Sequence, residues 1–359
     1  MPGKSDNQRP AGRAAIGSPA LRDRRTLCDA QGRRVRYLRV SLTDLCNLRC
    51  RYCMPSEGVV KMPHEEMLRL EELAALVHVF VVELGIEKVR VTGGEPLVRH
   101  GALDFLRALG MIPKLRDLAL TTNASFLAGQ AAAIRQAGVR RLNISLDTLR
   151  PDLFRRITGT DGLDRVLSGI EAAVHAGFDA VKLNAVLLPE TLEEAPALVR
   201  FAATRGIVLR FIERMPAPGT AGETPSPRDA AQTADASARK LRDALEREFE
   251  MTPVADAGGS SATAMLYRLS GPDLPAETII GFIRPVSAPF CRTCDRIRLR
   301  GDGRLLPCLS QGVYFDLKPY IRPALRQAEL VAFVREAIAG AKADSPQERR
   351  IQAMWRIGG

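Results

Sequence analysis

The sequence predicts an α/β fold, an incomplete (β/α)6 barrel followed by a smaller C-terminal region. Three observations carry this reading. Short β-branched runs alternate with longer amphipathic stretches six times between Val35 and Ile212. Strands alternating with helices at this spacing imply right-handed βα crossovers and a parallel sheet. Six repeats in about 180 residues fall short of a closed eight-strand barrel, which takes about 250. The regular pattern then stops after Glu213, where prolines gather.

In order, the pattern predicts a strand over 35–42, a cysteine-rich loop, a helix over 64–84, a strand over 88–92, a helix over 101–109 and a strand over 118–122. It continues with a helix over 127–137, a strand over 141–146, a helix over 162–176, a strand over 180–188, a helix over 192–204 and a sixth strand over 207–212. Residues 216–238 are rich in Pro, Ala, Thr and Ser and read as a long loop. A helix over 238–250, a β-like run over 278–283 and a closing helix over 325–341 follow. The domain reading is a flexible basic tail over 1–30, the partial barrel over 31–215, a Pro/Ala-rich loop over 216–240 and a C-terminal region over 241–359. In such folds ligands gather at the C-terminal ends of the strands. The conspicuous motifs lie there: Cys46, Cys50 and Cys53 after the first strand, Gly93-Gly94-Glu95-Pro96 after the second, Asn123 after the third and Asp147 after the fourth.

Composition narrows the function classes. Apolar residues make up 46% of the 359 and charged residues 26%, which excludes wholesale disorder and collagen-like repetition. The longest apolar run, 73–82, is interrupted by His78 and is too short to span a bilayer. The N-terminus lacks the apolar core of a secretory signal, so a cytoplasmic protein without membrane association is expected. Of the net charge of +11, residues 1–36 carry +6, nine Lys/Arg against three Asp, leaving +5 for the body. That balance suits an anionic small ligand and does not demand a nucleic acid. Seven cysteines without an export signal point to metal or redox chemistry rather than disulfides.

Cys46-x3-Cys50-x2-Cys53 puts three thiolates within eight residues, straight after a strand. Three thiolates can converge on one iron–sulfur centre and leave one iron open to an outside ligand. A zinc site would want a fourth ligand, and the closest downstream His is His64; unliganded buried cysteines are the plainer alternative. The segment from Leu38 to Pro55 resembles the cluster loop of radical S-adenosylmethionine (SAM) enzymes, with aromatic Tyr52 before the last cysteine. Gly93-Gly94-Glu95-Pro96 resembles the glycine-rich segment of the same superfamily.

A second set, Cys291-x2-Cys294-x13-Cys308, again has three cysteines and no further CxxC, with Arg296, Arg298 and Arg300 alternating behind it. On an extended strand these arginines share a face, and guanidinium groups suit phosphates. The pairing of both sets, with the Gly358-Gly359 ending, resembles the GTP 3′,8-cyclases that begin molybdenum-cofactor biosynthesis, over about 33–359.

The resemblance implies two 4Fe–4S clusters, on Cys46, Cys50 and Cys53 and on Cys291, Cys294 and Cys308, with SAM as cofactor. It implies SAM contacts at Tyr52, Gly94, Ser145 and Met215. It also implies GTP contacts at Arg39, Arg90, Thr121, Lys182, Arg296 and Arg298, of which Arg39, Arg296 and Arg298 are catalytic. A 5′-deoxyadenosyl radical would take the hydrogen at C3′ of GTP, and C3′ would then attack guanine C8. The implied partners are an electron donor such as flavodoxin and a pyranopterin-forming synthase, with a homodimer as one assembly open to it. Two departures stand against the family pattern. Ala124 replaces a Gly in Thr-Thr-Asn-Gly, so that loop is expected to differ. Pro216-Ala217-Pro218-Gly219 replaces a Gly-Asn segment and a Trp after Met215. Alternatives are a diverged paralogue, a peptide-modifying radical SAM enzyme or a zinc-containing nucleic-acid-binding protein.

Overall fold

The computed structural model describes residues 26–55, 61–215, 227–254, 263–309 and 312–341. The tail before residue 26, the start of the Pro/Ala-rich stretch and the Gly358-Gly359 ending lie outside them. Strands β1 (Tyr37–Ser41), β2 (Lys88–Thr92), β3 (Asp117–Thr122), β4 (Arg141–Ser145), β5 (Ala180–Val186) and β6 (Val208–Ile212) lie side by side in chain order, each parallel to the next. Between them run α1 (Leu70–Val82), α2 (Ala102–Gly110), α3 (Ala131–Gln136), α4 (Pro151–Thr158), α5 (Leu163–His175) and α6 (Pro189–Ala203). Alternate strand residues, Leu38 and Val40, Val89 and Val91, Leu142 and Ile144, are buried in one core with Leu73, Leu76, Val77 and Phe80 of α1. Each such side chain contributes about 1.5–3 kcal/mol by leaving water. The intervening residues point to the other face, and that face carries the chemistry.

The C-terminal region contributes α7 (Pro227–Glu246), β7 (Glu250–Pro253), β8 (Ala264–Ser270), β9 (Ile279–Ile283), β10 (Arg296–Leu299), β11 (Arg304–Leu306), β12 (Phe315–Asp316) and α8 (Gln327–Ala339). Its strands extend the first sheet at both ends, in the order β12-β11-β10-β1-β2-β3-β4-β5-β6-β9-β8-β7. β10 pairs parallel with β1 and β9 parallel with β6, so eight consecutive strands share one direction. Among the described residues no helix is long and apolar enough to cross a membrane.

Three expectations need correction. The loop expected over 216–240 is helical from Pro227. Proline fits the first turn of a helix, alanine is the strongest helix former, and Asp235–Arg239 and Arg242–Glu246 pair one turn apart. The helix expected from 64 begins at Leu70, because the Glu72 carboxylate accepts from Arg69 N at 2.7 Å and from Arg322 Nε at 2.9 Å, fixing the first turn there. Ala124 holds φ +64° despite lacking the freedom of glycine. Its amide donates to Thr122 Oγ1 at 3.0 Å and its carbonyl accepts from Leu127 N at 3.0 Å, so the left-handed loop persists. Helix α4 was not anticipated at all.

Candidate active site

The loop after β1 is bound to the turn after β2 by backbone alone. Gly94 N donates to Thr43 O at 2.7 Å and Glu95 N to Leu45 O at 2.8 Å. A Cβ on Gly94 would stand 2.2 Å from Leu45 O, so only glycine permits the contact. Glu95, 1% exposed, then ties the strand ends together: its carboxylate accepts from Thr122 Oγ1 at 2.8 Å, Asn123 N at 2.7 Å and Leu97 N at 3.1 Å. Burial raises its pKa to about 7. Asn123 passes the connection on, donating to Asn47 Oδ1 at 2.8 Å within the cysteine loop. On the far side Tyr52 OH donates to Asp147 Oδ2 at 2.8 Å, while Asp147 Oδ1 accepts from Val186 N. Burial raises the pKa of Asp147 to about 6.

Cys46, Cys50 and Cys53 open onto a cavity of about 1140 Å³ that also reaches Cys291, Cys294 and Cys308. The two sets lie at opposite ends of the strands, on neighbouring strands of the sheet. The first follows the C-terminal end of β1; Cys291 and Cys294 precede the N-terminal end of β10, which is parallel to β1 with Tyr37 beside Arg296. β11 runs back antiparallel, with Leu306 beside Arg298, and so returns Cys308 to the same end. The four residue steps from Tyr37 to Ser41 set the two ends roughly 13 Å apart. The cavity therefore extends past the C-terminal strand ends, where ligands were expected, down the sheet face to their N-terminal ends.

That face is strongly cationic. Nine Lys/Arg side chains line the cavity against one carboxylate, Glu213, among the described residues. Arg298, Arg39 and Arg90 occupy one register row on three adjacent strands. Glu213 is committed to structure, accepting from Val286 N at 3.0 Å and Ser287 N at 2.9 Å. The crowding lowers the cation pKa values. Burial, then Arg298, lowers that of Arg39. Burial, then Arg296, lowers Arg298 to about 10; burial, then Arg90, lowers Arg210 to about 9. Burial, then Arg210, lowers Lys182 to about 8. Buried side-chain atoms of Arg90, Thr121, Asn143, Asn184, Arg210 and Arg296 lack hydrogen-bond partners here. A cavity with surplus positive charge and unmet donors is built for a large polyanion.

Residues 40–202 match the Radical SAM superfamily and 207–345 match Molybdenum Cofactor Synthesis C. A GTP 3′,8-cyclase of Moorella thermoacetica is 40% identical over 335 residues, covering 92% of this chain and 99% of that protein. One from Geobacter sulfurreducens is 40% identical over 342 residues, covering 93% and 99%. One from Marinobacter nauticus is 44% identical over 297 residues, covering 82% and 86%. The chain belongs to the GTP 3′,8-cyclase family. Its fold is the radical SAM type: a Streptococcus suis SuiB crystal structure with bound SAM superposes with a TM-score of 0.54 at 14% identity, over 89% of this chain and 77% of that one.

For a cyclase-family chain, the thiols are the groups to test against iron–sulfur chemistry. Burial raises Cys46 to about 11 and Cys53 to about 12, and burial, then Asp147, raises Cys50. Such thiols stay protonated at neutral pH unless a metal centre takes the thiolate. Among the described residues no three His, Cys, Asp or Glu side chains stand close enough to hold one ion. A cluster of several irons spaces its thiolates more widely than one ion does, and an all-thiol donor set fits that chemistry.

All predicted site residues line this one cavity: Arg39, Tyr52, Arg90, Gly94, Thr121, Ser145, Lys182, Met215, Arg296, Arg298 and the six paired cysteines. Arg300 does not follow Arg296 and Arg298; β10 ends before it, and it pairs with Asp302 at 2.8 Å. Cys28 lies apart, beside Arg34 in a small bridge. Sequence reasoning missed Lys88, Arg141, Asn143, Asn184 and Arg210, which also line the cavity. Their signal was the two-residue strand period: Lys88 stands two before Arg90, Asn143 two before Ser145, and Asn184 two after Lys182.

Proposed function

We propose that this cavity converts GTP to (8S)-3′,8-cyclo-7,8-dihydroguanosine 5′-triphosphate, a lyase reaction in keeping with the name GTP 3′,8-cyclase that its relatives carry. The observation that carries the reading is the single cationic cavity with three cysteines at each end. Cys46, Cys50 and Cys53 would hold one 4Fe–4S cluster and Cys291, Cys294 and Cys308 a second, within an incomplete (β/α)6 barrel. When bound, the first cluster would supply the electron for reductive cleavage of SAM, the chemistry that starts hydrogen removal at C3′ of GTP.

The chain's own residues aim and shield that chemistry. Tyr52, fixed by Asp147, and Gly94, Ser145 and Met215 hold SAM against the upper end. Arg90 and Lys182 take the triphosphate, whose charge supplies the counterions that their crowded face lacks. Arg296 and Arg298 stand beside the second cysteine set and orient the guanine end. Arg39, in the register row between Arg298 and Arg90, sits beside the sugar and steadies it as C3′ bonds to C8. Closing the cavity around both molecules keeps water from the reactive carbon. Membership of the family supports a flavodoxin-type donor and a pyranopterin-forming synthase as recipient, working in the cytoplasm.

The test is anaerobic turnover of reconstituted protein with SAM, dithionite and GTP. We expect about eight irons per chain and 5′-deoxyadenosine formed only with GTP. Stoichiometric zinc without sulfide, or cleavage of SAM indifferent to GTP, would sink the reading.

A further inference from the structure

Strand β4 carries a neutral step between the SAM end of the cavity and the cations below it. Ser145, Asn143 and Arg141 occupy alternate positions of the strand and all line the cavity, about 6.6 Å from one to the next. Asn143 is in register with Thr121 of β3 on one side and Lys182 of β5 on the other. It is 2% exposed. Its two amide atoms are in different situations. Arg210 Nη2 donates to Asn143 Oδ1 at 2.5 Å, which fixes the carbonyl and leaves Nδ2 as the open end. Nδ2 is buried without a hydrogen-bond partner among the described residues, and so is Thr121 Oγ1 in the same register row. A buried N–H is costly to leave unpaired, so a donor held open toward a cavity points to an acceptor on the ligand.

The stereochemistry of the substrate says which acceptor that is. The hydrogen removed is at C3′, so the sugar must lie against the SAM end, the level of Ser145, with that hydrogen turned toward it. In the ribose of GTP the 2′- and 3′-hydroxyls leave the ring on the face opposite the C3′ hydrogen. They therefore turn away from SAM, toward the next level of β4, where Asn143 stands. A cation at this level would compete for the phosphates. A neutral amide does not, and its N–H suits a hydroxyl oxygen.

We propose that Asn143 Nδ2 donates to the 2′,3′-diol of GTP, which makes Asn143 the residue that selects a ribonucleotide and sets the sugar face shown to SAM. The proposal rests on the cyclase reading above. Arg210 is then a positioning residue as well as a cation: by occupying Oδ1 it keeps the NH2 group turned to the sugar. Thr121 Oγ1, beside Asn143, is placed to share the same diol. The contact is one of binding and orientation, and no bond to Asn143 forms or breaks.

The experiment is an anaerobic calorimetric titration of reconstituted protein, with SAM present and no reductant, against GTP and against 2′,3′-dideoxyGTP. Wild type, Asn143→Leu and Asn143→Ala are compared. We expect wild type to bind GTP about ten-fold more tightly than the dideoxy nucleotide, and both variants to bind the two within about two-fold of each other. The ratio separates this contact from a merely structural role. Releasing Arg210 or loosening the strand weakens both nucleotides alike and leaves the ratio at its wild-type value. Equal affinity of wild type for the two nucleotides, or a ten-fold preference retained in the variants, would overturn the proposal. If Asn143→Leu loses iron, Asn143→Ala, which adds no bulk, decides by the same ratio. Cleavage of SAM by wild type under dithionite without GTP would instead refute the cyclase reading, while a ratio that collapses in the variants would leave the diol contact standing.

Discussion

The two cysteine sets share a cavity but are held in different ways. The first is fastened largely by backbone, Thr43 and Leu45 to Gly94 and Glu95 and Arg49 and Arg51 to the end of α4, with Asn123–Asn47 and Tyr52–Asp147 beside it. Its thiols are buried enough to be pushed well above neutral pKa values. In the second, Cys291 is exposed on a short 3-10 turn, Cys291–Thr293, that Cys294 closes, and Cys308 follows β11. Side chains hold it, with Arg33 Nη1 donating to Cys291 O at 2.5 Å and Glu213 gathering the 284–287 turn that precedes it. Backbone fastening tolerates most side-chain changes and fails where a glycine is required. Side-chain fastening fails at the residue that makes it.

The largest expected effect follows from that difference. Gly94→Ala drives a Cβ into Leu45 O, parting the two turns. Iron should fall from about eight to about four per chain, with cleavage of SAM reduced to background. Full iron in this variant would break the comparison. Removing the acceptor at the other end sharpens it: Glu213→Ala leaves Val286 N and Ser287 N without their acceptor and Arg284 with Asp235 as its remaining carboxylate, at a cost of about 3 kcal/mol. Thermal unfolding should shift accordingly, and iron should be lost from the second set while SAM binding survives.

Arg296→Ala and Arg298→Ala act on the cavity rather than on either fastening. Both should keep iron and lose GTP turnover, which iron analysis and product assays read separately. A titration probes the same surplus charge. Free Lys182 loses its proton through about pH 8, and a triphosphate beside it favours the charged form. Binding should therefore take up a proton above that pH, with GTP affinity falling about ten-fold per unit until the liganded pKa is passed. Lys182→Met should remove that slope. The smallest change is Ala124→Gly, which relieves a left-handed alanine worth about 1–2 kcal/mol while giving up a buried methyl worth about 0.8. A stabilisation of about 1 kcal/mol or less should appear in the melting temperature, with activity unchanged.

The six βα units were legible because each strand and helix carries its own period. The bounds of 88–92 coincide with β2, and most others differ by a few residues. The C-terminal strands were less legible because their identity comes from partners far away in the chain: β10 is a strand because β1 is its neighbour, about 260 residues earlier. Helix α7 was concealed by prolines beside alanines, and α4 by its short length. At the site, the cysteines and Gly94 were readable from spacing, whereas Glu95, Asn123 and Glu213 act through folded contacts that no local pattern displays. The sequence also placed +5 in the body without saying where; among the described residues the structure gathers nine Lys/Arg against one carboxylate along the cavity.

One measurement bears most directly on the claim that both ends of this cavity act on a single GTP. Reconstituted protein is turned over once with SAM and GTP deuterated at C3′, and the 5′-deoxyadenosine is analysed by mass. The account predicts one deuterium in that product for wild type, and loss of the transfer in Cys294→Ala even though its first cysteine set is intact. Unlabelled 5′-deoxyadenosine from wild type, or undiminished transfer in Cys294→Ala, would contradict it.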